Sequence, residues 1–202
     1  MRDSLKFALR ALATIAVLPR IASFRLWAPV IGRDRALEGS TQRLARIPGL
    51  RGQYLRRAFL RYSGVDCHPS ATICYGTTFS KCGAVIEANV YVGPGCHIGL
   101  VHLERDVLLA AGVHVPSGPH VHGTAETDVP IRDQPGTTKC IRVGAGTWVG
   151  SASVIMADVG RDCVIGAGSV VTRPVPAGTV AAGVPARVVR ARAEPAISFP
   201  AR

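Results

Sequence analysis

Ile, Val or Leu recurs at every sixth residue over most of the chain from Ile73 to Val175. The clearest stretch carries this residue at Val143, Val149, Val159, Ile165 and Val171, often with Gly next to it. A helix repeats near 3.6 residues and a strand repeats at two, so neither gives this period. A coil of short strands joined by tight corners does, with three strands to each rung. The period therefore predicts an all-β solenoid, a parallel β-helix, in preference to a β-sandwich.

The earlier half of the repeat keeps the six-residue phase less strictly. Two spacings depart from it, because Phe79 and Ile86 are seven residues apart and Ile98 and Leu103 are five apart. A rung shortened by two residues follows at 155–158. We expect corners to absorb these irregularities while the apolar residues still point inward. The predicted inward positions of this half are Ile73, Phe79, Ile86, Val92, Ile98, Leu103, Leu109 and Val115.

The net charge of +11 is concentrated at the N-terminus. Residues 1–61 hold thirteen Lys or Arg and three acidic residues, whereas the rest of the chain holds eleven and ten. The solenoid is therefore nearly neutral, and no series of aromatic and basic residues accompanies it. This distribution argues against nucleic-acid binding.

The six cysteines form no C-x-x-C pair and no regular ladder. We predict free thiols, with Cys96 and Cys163 acting as compact apolar residues in small-residue positions of the repeat. Free thiols suit a reducing cytoplasm better than a secreted disulfide scaffold.

Residues 1–64 form a separate basic, helical segment. The spacing predicts an amphipathic helix from Asp3 to Leu18 that ends near Pro19, a turn at Trp27, Pro29 and Gly32, and a second helix from about Ser40. Arg10, Pro19, Arg20 and Arg25 interrupt every window that a membrane-spanning helix needs, and no signal-peptide pattern is present. Two roles stay open for this segment: a cap on the open end of the coil, or contact of residues 1–61 with an anionic membrane surface. We expect a cytoplasmic protein, either free or peripheral on the inner face of the membrane.

The repeat disappears after Ser117-Gly-Pro-His120 and resumes at Ile141. The intervening loop, 121–140, is polar and contains Pro and Gly, and long loops on a compact scaffold are often functional. His120 lies at its base, and histidine is well suited to accept a proton near neutral pH. We predict His120 as a general base, with His122 and His97 as further catalytic or acceptor-binding candidates. Packing or surface roles are the alternatives for each histidine.

These features resemble the hexapeptide-repeat acyltransferases, which include galactoside, maltose, serine and polysaccharide O-acetyltransferases. The matching segments are Thr147-Trp-Val-Gly-Ser151, Ile165 to Pro176, and Ala182-Gly-Val-Pro-Ala-Arg187 to Arg190. The resemblance covers about residues 65–190. It implies a left-handed parallel β-helix over 65–180, a C-terminal tail at 181–202 and a homotrimer with acetyl-CoA between subunits.

The resemblance also implies roles for individual residues. The Ser117-Gly-Pro-His120 element would supply the general base for attack of an acceptor hydroxyl, in polysaccharide biosynthesis or on another sugar, with no metal required. Trp148 would line the slot for the pantetheine arm. The other cofactor-binding residues implied are Ser151 and Ala167 through their main chains, Thr172 and Arg173 near the nucleotide end, and Arg187 and Arg190 at its phosphates.

Two other functions remain as alternatives. A γ-type carbonic anhydrase uses the same coil and binds zinc through histidines on adjacent rungs and subunits, and the five-residue spacing of His97 and His102 is compatible with it. A non-catalytic β-helix could act as an assembly module on a membrane. One departure from the family concerns the acceptor, because the sugar acetyltransferases often have Asn where this chain has His97.

Overall fold

The N-terminal part of the chain folds into three helices. The structure is a computed structural model that describes residues 2–193, with helices α1 (Arg2–Ile31), α2 (Arg33–Ala45) and α3 (Gly49–Arg61). Gly32 separates α1 from α2 with a φ of +88°, a conformation that favours glycine. Pro48 precedes α3 in an extended conformation.

The helices differ from the sequence prediction in two places. The prediction that the first helix ends near Pro19 is wrong, because α1 continues through Pro19 and Pro29 to Ile31. Proline removes one backbone hydrogen bond, but burial of Val17 and Ile21 on either side of Pro19 holds the helix together. The second helix begins at Arg33 rather than Ser40 and is divided into α2 and α3.

The rest of the described chain is a parallel β-solenoid of about six rungs. Its short strands fall into three sheets, which we call A, B and C. Sheet A contains β1 (Asp66–Cys67), β4 (Val85–Ile86), β7 (Val101–Leu103) and β10 (Ile141–Val143). Sheet B contains β2 (Thr72–Ile73), β5 (Tyr91–Val92), β8 (Leu108–Leu109), β11 (Trp148–Val149), β13 (Val164–Ile165), β15 (Thr179–Gly183) and β16 (Ala186–Ala191). Sheet C contains β3 (Thr78–Phe79), β6 (His97–Ile98), β9 (His114–Val115), β12 (Val154–Ile155) and β14 (Val170–Val171).

The inward positions predicted from the six-residue period are confirmed. Their side chains are buried, and all but Val159 and Val175 lie at the end of a short strand. Ile73, Leu109 and Val143 are wholly inaccessible. The irregular spacings lie at corners, as expected. At the shortened rung, sheet A continues only as isolated bridges from Val159 to Val143 and Val175.

Helices α2 and α3 cover the first rung of the coil. Arg56 is buried in α3, where Nε donates to the carbonyl of Ile73 at 3.0 Å and one terminal nitrogen donates to Leu44 and Ile47 at 3.0 and 2.8 Å. Arg57 donates to the carbonyl of Ala71 at 3.0 Å. Burial lowers the pKa of both guanidinium groups. These arginines therefore serve as internal hydrogen-bond donors that satisfy carbonyls at the open end of the coil.

The opposite end of the coil is closed by an antiparallel pair. Strand β16 lies beside β15, with Arg187 opposite Ala182 and Arg190 opposite Val180. Part of the predicted C-terminal tail is thus the last strand of sheet B. Residues 194–202 lie outside the described part of the chain.

Candidate active site

The base of the projecting loop is fixed by Ser117. Its side chain is buried, its φ is +70°, and its hydroxyl oxygen accepts a hydrogen bond from the amide of Leu100 at 2.7 Å. Leu100 lies at the tight corner between Ile98 and Leu103. Ser117 therefore ties the start of the loop to the preceding rung, at the corner where sheet C passes to sheet A.

The two ends of the loop are held together by main-chain hydrogen bonds. The amide of Lys139 donates to the carbonyl of Ser117 at 2.8 Å, and the amide of Thr137 donates to the carbonyl of His120 at 2.7 Å. The backbone of His120 is thus part of a short paired segment rather than a free loop.

Gln134 organises the interior of the loop. It is buried, its Nε2 donates to the carbonyls of Glu126 and Val129 at 2.6 and 2.8 Å, and its Oε1 accepts from the amide of Glu126 at 3.2 Å. A single 3-10 turn, Ile131–Asp133, precedes it. The sequence analysis did not identify Gln134, because nothing in its local pattern separates it from the other polar residues of the loop.

The imidazoles of His120 and His122 are both exposed at the loop base. A general base must reach the proton it removes, and the exposure of His120 on a fixed backbone meets this requirement. His122 lies two residues further along the loop, beyond the paired backbone at His120. Of the two histidines, His120 is therefore the one whose backbone is held by a hydrogen bond at the loop base.

His97 lies on the outer surface of sheet C in a row of polar side chains. The register pairs Thr78 with His97 and His97 with His114 on successive rungs. The Nδ1 atom of His97 is 2.9 Å from the hydroxyl of Thr78, and its ring centroid is 6.0 Å from that of His114. Burial lowers the pKa of His97, His114 adds to this shift, and Glu38 opposes it. The lowered pKa favours the neutral form of the His97 imidazole.

His114 was missed by the sequence analysis, although a signal was present. The inward positions Ile98 and Val115 lie on the same sheet one rung apart, so the residues before them, His97 and His114, must be neighbours on the outer surface. The predicted inward positions Ile98 and Val115 were therefore enough to predict that His97 and His114 are neighbours.

The residues predicted to bind the cofactor form two groups. Trp148 is 52% exposed on sheet B, and Ser151 and Ala167 lie on consecutive rungs at the corner from sheet B to sheet C. The amide of Gly168 donates to the carbonyl of Ser151 at 2.8 Å. A Cβ at Gly150 would lie only 2.5 Å from the amide nitrogen of Ala167, so close stacking of these rungs requires glycine there. Small residues thus line this corner, and we call the surface at Ser151 and Ala167 the wall.

The second group lies elsewhere on the coil. Thr172 and Arg173 are exposed at the corner from sheet C to sheet A, two rungs beyond the loop. Arg187 and Arg190 lie on β16 at the end of sheet B. Within one chain, the structure does not bring His120 together with the wall at Ser151 and Ala167, because the width of sheet C separates the two corners.

His97 and His102 do not converge. His97 lies on sheet C, whereas His102 lies on sheet A, where its Nε2 is 2.6 Å from the carboxylate of Glu87. The hydrogen bond from His102 lowers the pKa of Glu87. The five-residue spacing that suggested a zinc site therefore reflects two different faces of one subunit.

The comparisons with known proteins match this architecture. Residues 83–116 and 140–173 match the model of the hexapeptide repeat of succinyl-transferase, and the unmatched residues 117–139 contain nearly all of the loop. Galactoside O-acetyltransferase of Escherichia coli K12 is 31% identical over 168 residues, which cover 70% of this chain and 80% of that enzyme. The chain belongs to the hexapeptide-repeat acetyltransferase family. Serine acetyltransferase of the same organism is 32% identical over 127 residues, 62% of this acetyltransferase but only 38% of the relative.

Solved structures share the fold of this acetyltransferase. Maltose O-acetyltransferase from Clostridium difficile 630 superposes with a TM-score of 0.56 at 20% identity, covering 80% of this chain and 88% of that one. An N-acyltransferase from Bacillus cereus in complex with coenzyme A and dTDP-4-amino-4,6-dideoxyglucose gives 0.57 at 15% identity, with 65% and 75% covered. The predicted family and enzyme class are confirmed, and the non-catalytic module is set aside.

Proposed function

We propose that this acetyltransferase transfers the acetyl group of acetyl-CoA to a hydroxyl group of a sugar or polysaccharide precursor, with His120 as general base. The observation that carries the proposal is the loop base, where an exposed imidazole is attached to a backbone fixed by Ser117 and Lys139. The galactoside and maltose O-acetyltransferases among the similar proteins support a sugar acceptor.

The reaction needs one proton acceptor and no covalent enzyme intermediate. His120 takes the proton of the acceptor hydroxyl as that oxygen attacks the thioester carbonyl carbon. The carbon–sulfur bond then breaks, and the same imidazole returns the proton to the departing thiolate. A main-chain N–H group stabilises the oxyanion that forms between these steps.

The donor is proposed to lie along the wall at Ser151 and Ala167, beside Trp148. Small side chains there leave room for a pantetheine arm to contact the main chain. The guanidinium groups of Arg187 and Arg190, with Thr172 and Arg173, are proposed to meet the nucleotide and its phosphates. No metal takes part in this scheme.

The site is proposed to form between two subunits of a homotrimer. His120 and the wall lie at different corners of one coil, so a neighbouring copy is needed to put a wall next to His120.

His97 is proposed to orient the acceptor. Its neutral imidazole, fixed by Thr78 and next to His114, can exchange hydrogen bonds with a sugar hydroxyl without carrying charge. This role matches the place that Asn holds in many sugar acetyltransferases. His122 is proposed as a further contact to the acceptor.

The six cysteines, all of which the structure describes as free thiols, support a cytoplasmic location. Burial raises the pKa of Cys67 to about 12 and that of Cys96 to about 11, so neither thiol ionises near neutral pH. Cys67 and Cys96 act as packing residues of the core.

The test is a free-thiol assay with acetyl-CoA and a panel of acceptors that includes galactosides, maltose and serine. We expect acetyl transfer to a saccharide, and a loss of roughly 100-fold in kcat for His120→Ala. His68→Ala, at an exposed histidine on the first rung, is the matched control and should leave the rate unchanged. Calorimetry should show that His120→Ala still binds CoA. Wild-type rates in His120→Ala, or no CoA binding by the wild type, would disprove the proposal.

A further inference from the structure

The outer surface of α1 is an almost continuous apolar strip. Exposed apolar residues recur along it at spacings of three or four, which places them on one side of the helix. The strip is about 33 Å long at the rise of an α-helix. Its members are Ala8, Leu12, Ile15, Leu18, Ala22, Leu26 and Val30, with Phe7 and Trp27 beside them.

The side chains of this strip are largely exposed to solvent. Leu12 and Ile15 are each 62% exposed and Leu26 is 69% exposed. Contiguous exposed apolar surface of this kind usually marks an interaction site. The apolar face that the sequence predicted for this helix, which includes Leu12 and Ile15, thus points outward.

The strip continues into a groove between α1 and α3. The groove has a volume of about 510 Å³ and is almost entirely apolar. On the α3 side it is bounded by Leu50, which is 72% exposed, and by the exposed Arg51. The lining residues are Leu9, Leu12, Ala13, Ala16, Leu50, Arg51, Tyr54 and Leu55.

Positive charge borders the strip at both ends. Lys6 precedes it, and Arg33 and Arg35 follow it at the start of α2, all three exposed. In the fully described stretch from Phe7 to Ile31, Arg25 is the one charged side chain that is exposed. An apolar strip between cations matches a bilayer with anionic headgroups, where the strip meets acyl chains and the cations meet phosphates.

The opposite side of α1 is already occupied by protein. Ala13, Val17, Ile21 and Phe24 are buried, and the ring of Phe24 packs edge-on against Phe59 with centroids 6.1 Å apart. By length and composition, Lys6–Ile31 is apolar enough to cross a membrane, with a mean hydropathy of 1.5, contrary to the sequence prediction. Crossing would strip the cover from Phe59 and carry Arg10, Arg20 and Arg25 into the hydrocarbon.

We propose that α1 lies in the plane of an anionic lipid bilayer, with its outer apolar strip inserted to the boundary between headgroups and acyl chains. Phe24, Val17 and their buried neighbours keep the helix attached to α2 and α3, so the coil is anchored without a transmembrane segment. This proposal does not depend on the proposed acetyl transfer.

The test is co-sedimentation of the full-length protein with vesicles of phosphatidylcholine alone or with one quarter phosphatidylglycerol. The test variant is Leu12→Ser/Ile15→Ser/Leu18→Ser, and its matched control is Ile131→Ser/Val184→Ser/Val189→Ser, three residues of similar exposure elsewhere. Circular dichroism checks that both variants fold. We expect the wild type and the control to bind anionic vesicles at least tenfold more tightly than neutral ones, with binding weakened by salt. The test variant should lose roughly tenfold or more.

Three results would overturn the proposal. They are the absence of wild-type binding to anionic vesicles, equal binding by the folded test variant, or equal binding to neutral and anionic vesicles. Analytical ultracentrifugation separates the main alternative occupant, a second copy of the chain. If the wild type forms a larger assembly that the test variant lacks, and neither protein binds vesicles, the strip is a protein interface and the lipid proposal is wrong.

Discussion

At the scale of single residues, Ser117 fixes the backbone that carries the proposed general base, His120. The loop begins at its positive φ, and its hydroxyl oxygen accepts a hydrogen bond from the amide of Leu100 at the neighbouring corner. Because that amide lies at a tight corner of the coil, no strand partner replaces the serine if it is lost. A buried donor without an acceptor is costly.

We predict that Ser117→Ala lowers the free energy of unfolding by about 1–3 kcal/mol and speeds hydrogen exchange of the Lys139 and Thr137 amides. Denaturant unfolding and exchange mass spectrometry measure the two effects. Ser153→Ala removes another buried hydroxyl, which donates to Gly166 at 3.0 Å, and serves as control. It should lower stability without changing exchange in the loop, whereas equal exchange in both variants would contradict the role of Ser117.

The candidate site shows which residues sequence patterns can reveal. His120 was predicted from its position where the repeat stops, whereas Ser151 and Ala167 were proposed only from the resemblance to the family. His114 could have been predicted from the repeat as well. Gln134 could not, because its role depends on how an irregular loop folds back on itself, and no period describes that path.

At the scale of elements, the cap formed by α2 and α3 depends on hydrogen bonds from buried arginine. Arg56 donates hydrogen bonds to the carbonyls of Ile73, Leu44 and Ile47 at the open end of the coil. We predict that Arg56→Leu, which keeps much of the volume, destabilises the protein by about 2–4 kcal/mol because those carbonyls lose their donor. Arg43→Leu, at an exposed position of α2, is the control and should change stability by less than about 0.5 kcal/mol. Equal effects would contradict the role of Arg56 in the cap.

The start of α2 is joined to the coil by a carboxylate. Burial raises the pKa of Asp34, but hydrogen bonds from the Cys82 amide at 2.9 Å and from Lys81 at 3.0 Å outweigh it, so the net pKa is lowered. A lowered pKa in the folded state means that this contribution is present above the unfolded pKa, near 4, and is lost as the pH falls through the folded pKa.

We therefore predict that Asp34→Asn lowers the free energy of unfolding at pH 7 by less than about 1 kcal/mol, since the group is partly exposed. The difference from wild type should shrink as the pH is lowered from 5 to 2, measured by denaturant unfolding across that range. Asp128→Asn, in the exposed loop, provides the control. A difference that is constant with pH would show that ionisation of Asp34 is not the cause.

The two kinds of element differed in how well the sequence predicted them. The coil could be predicted from its six-residue period, because every rung repeats the same environment. An apolar residue at the inward position of a rung can only point into the core. The helices depend on contacts between segments distant in sequence, such as Phe24 with Phe59. For that reason the continuation of α1 past Pro19 and the break between α2 and α3 were not predictable from local patterns.

At the scale of the whole molecule, the proposed active site requires more than one copy of the chain. His120 projects from one corner of the coil, and the proposed wall for the donor occupies another. In the proposed homotrimer, each coil would contribute its His120 corner to the site shared with one neighbour and its wall to the site shared with the other.

The most direct test of this account is activity in mixed assemblies. One subunit carries His120→Ala and the other carries Ala167→Phe, which blocks the wall at an exposed corner, and each should be inactive alone. After the two are unfolded and refolded together in equal amounts, we predict about one quarter of the wild-type rate of acetyl transfer, because one interface in four pairs an intact base with an intact wall. If the refolded mixture forms trimers and remains inactive, base and wall belong to the same subunit and the account is wrong.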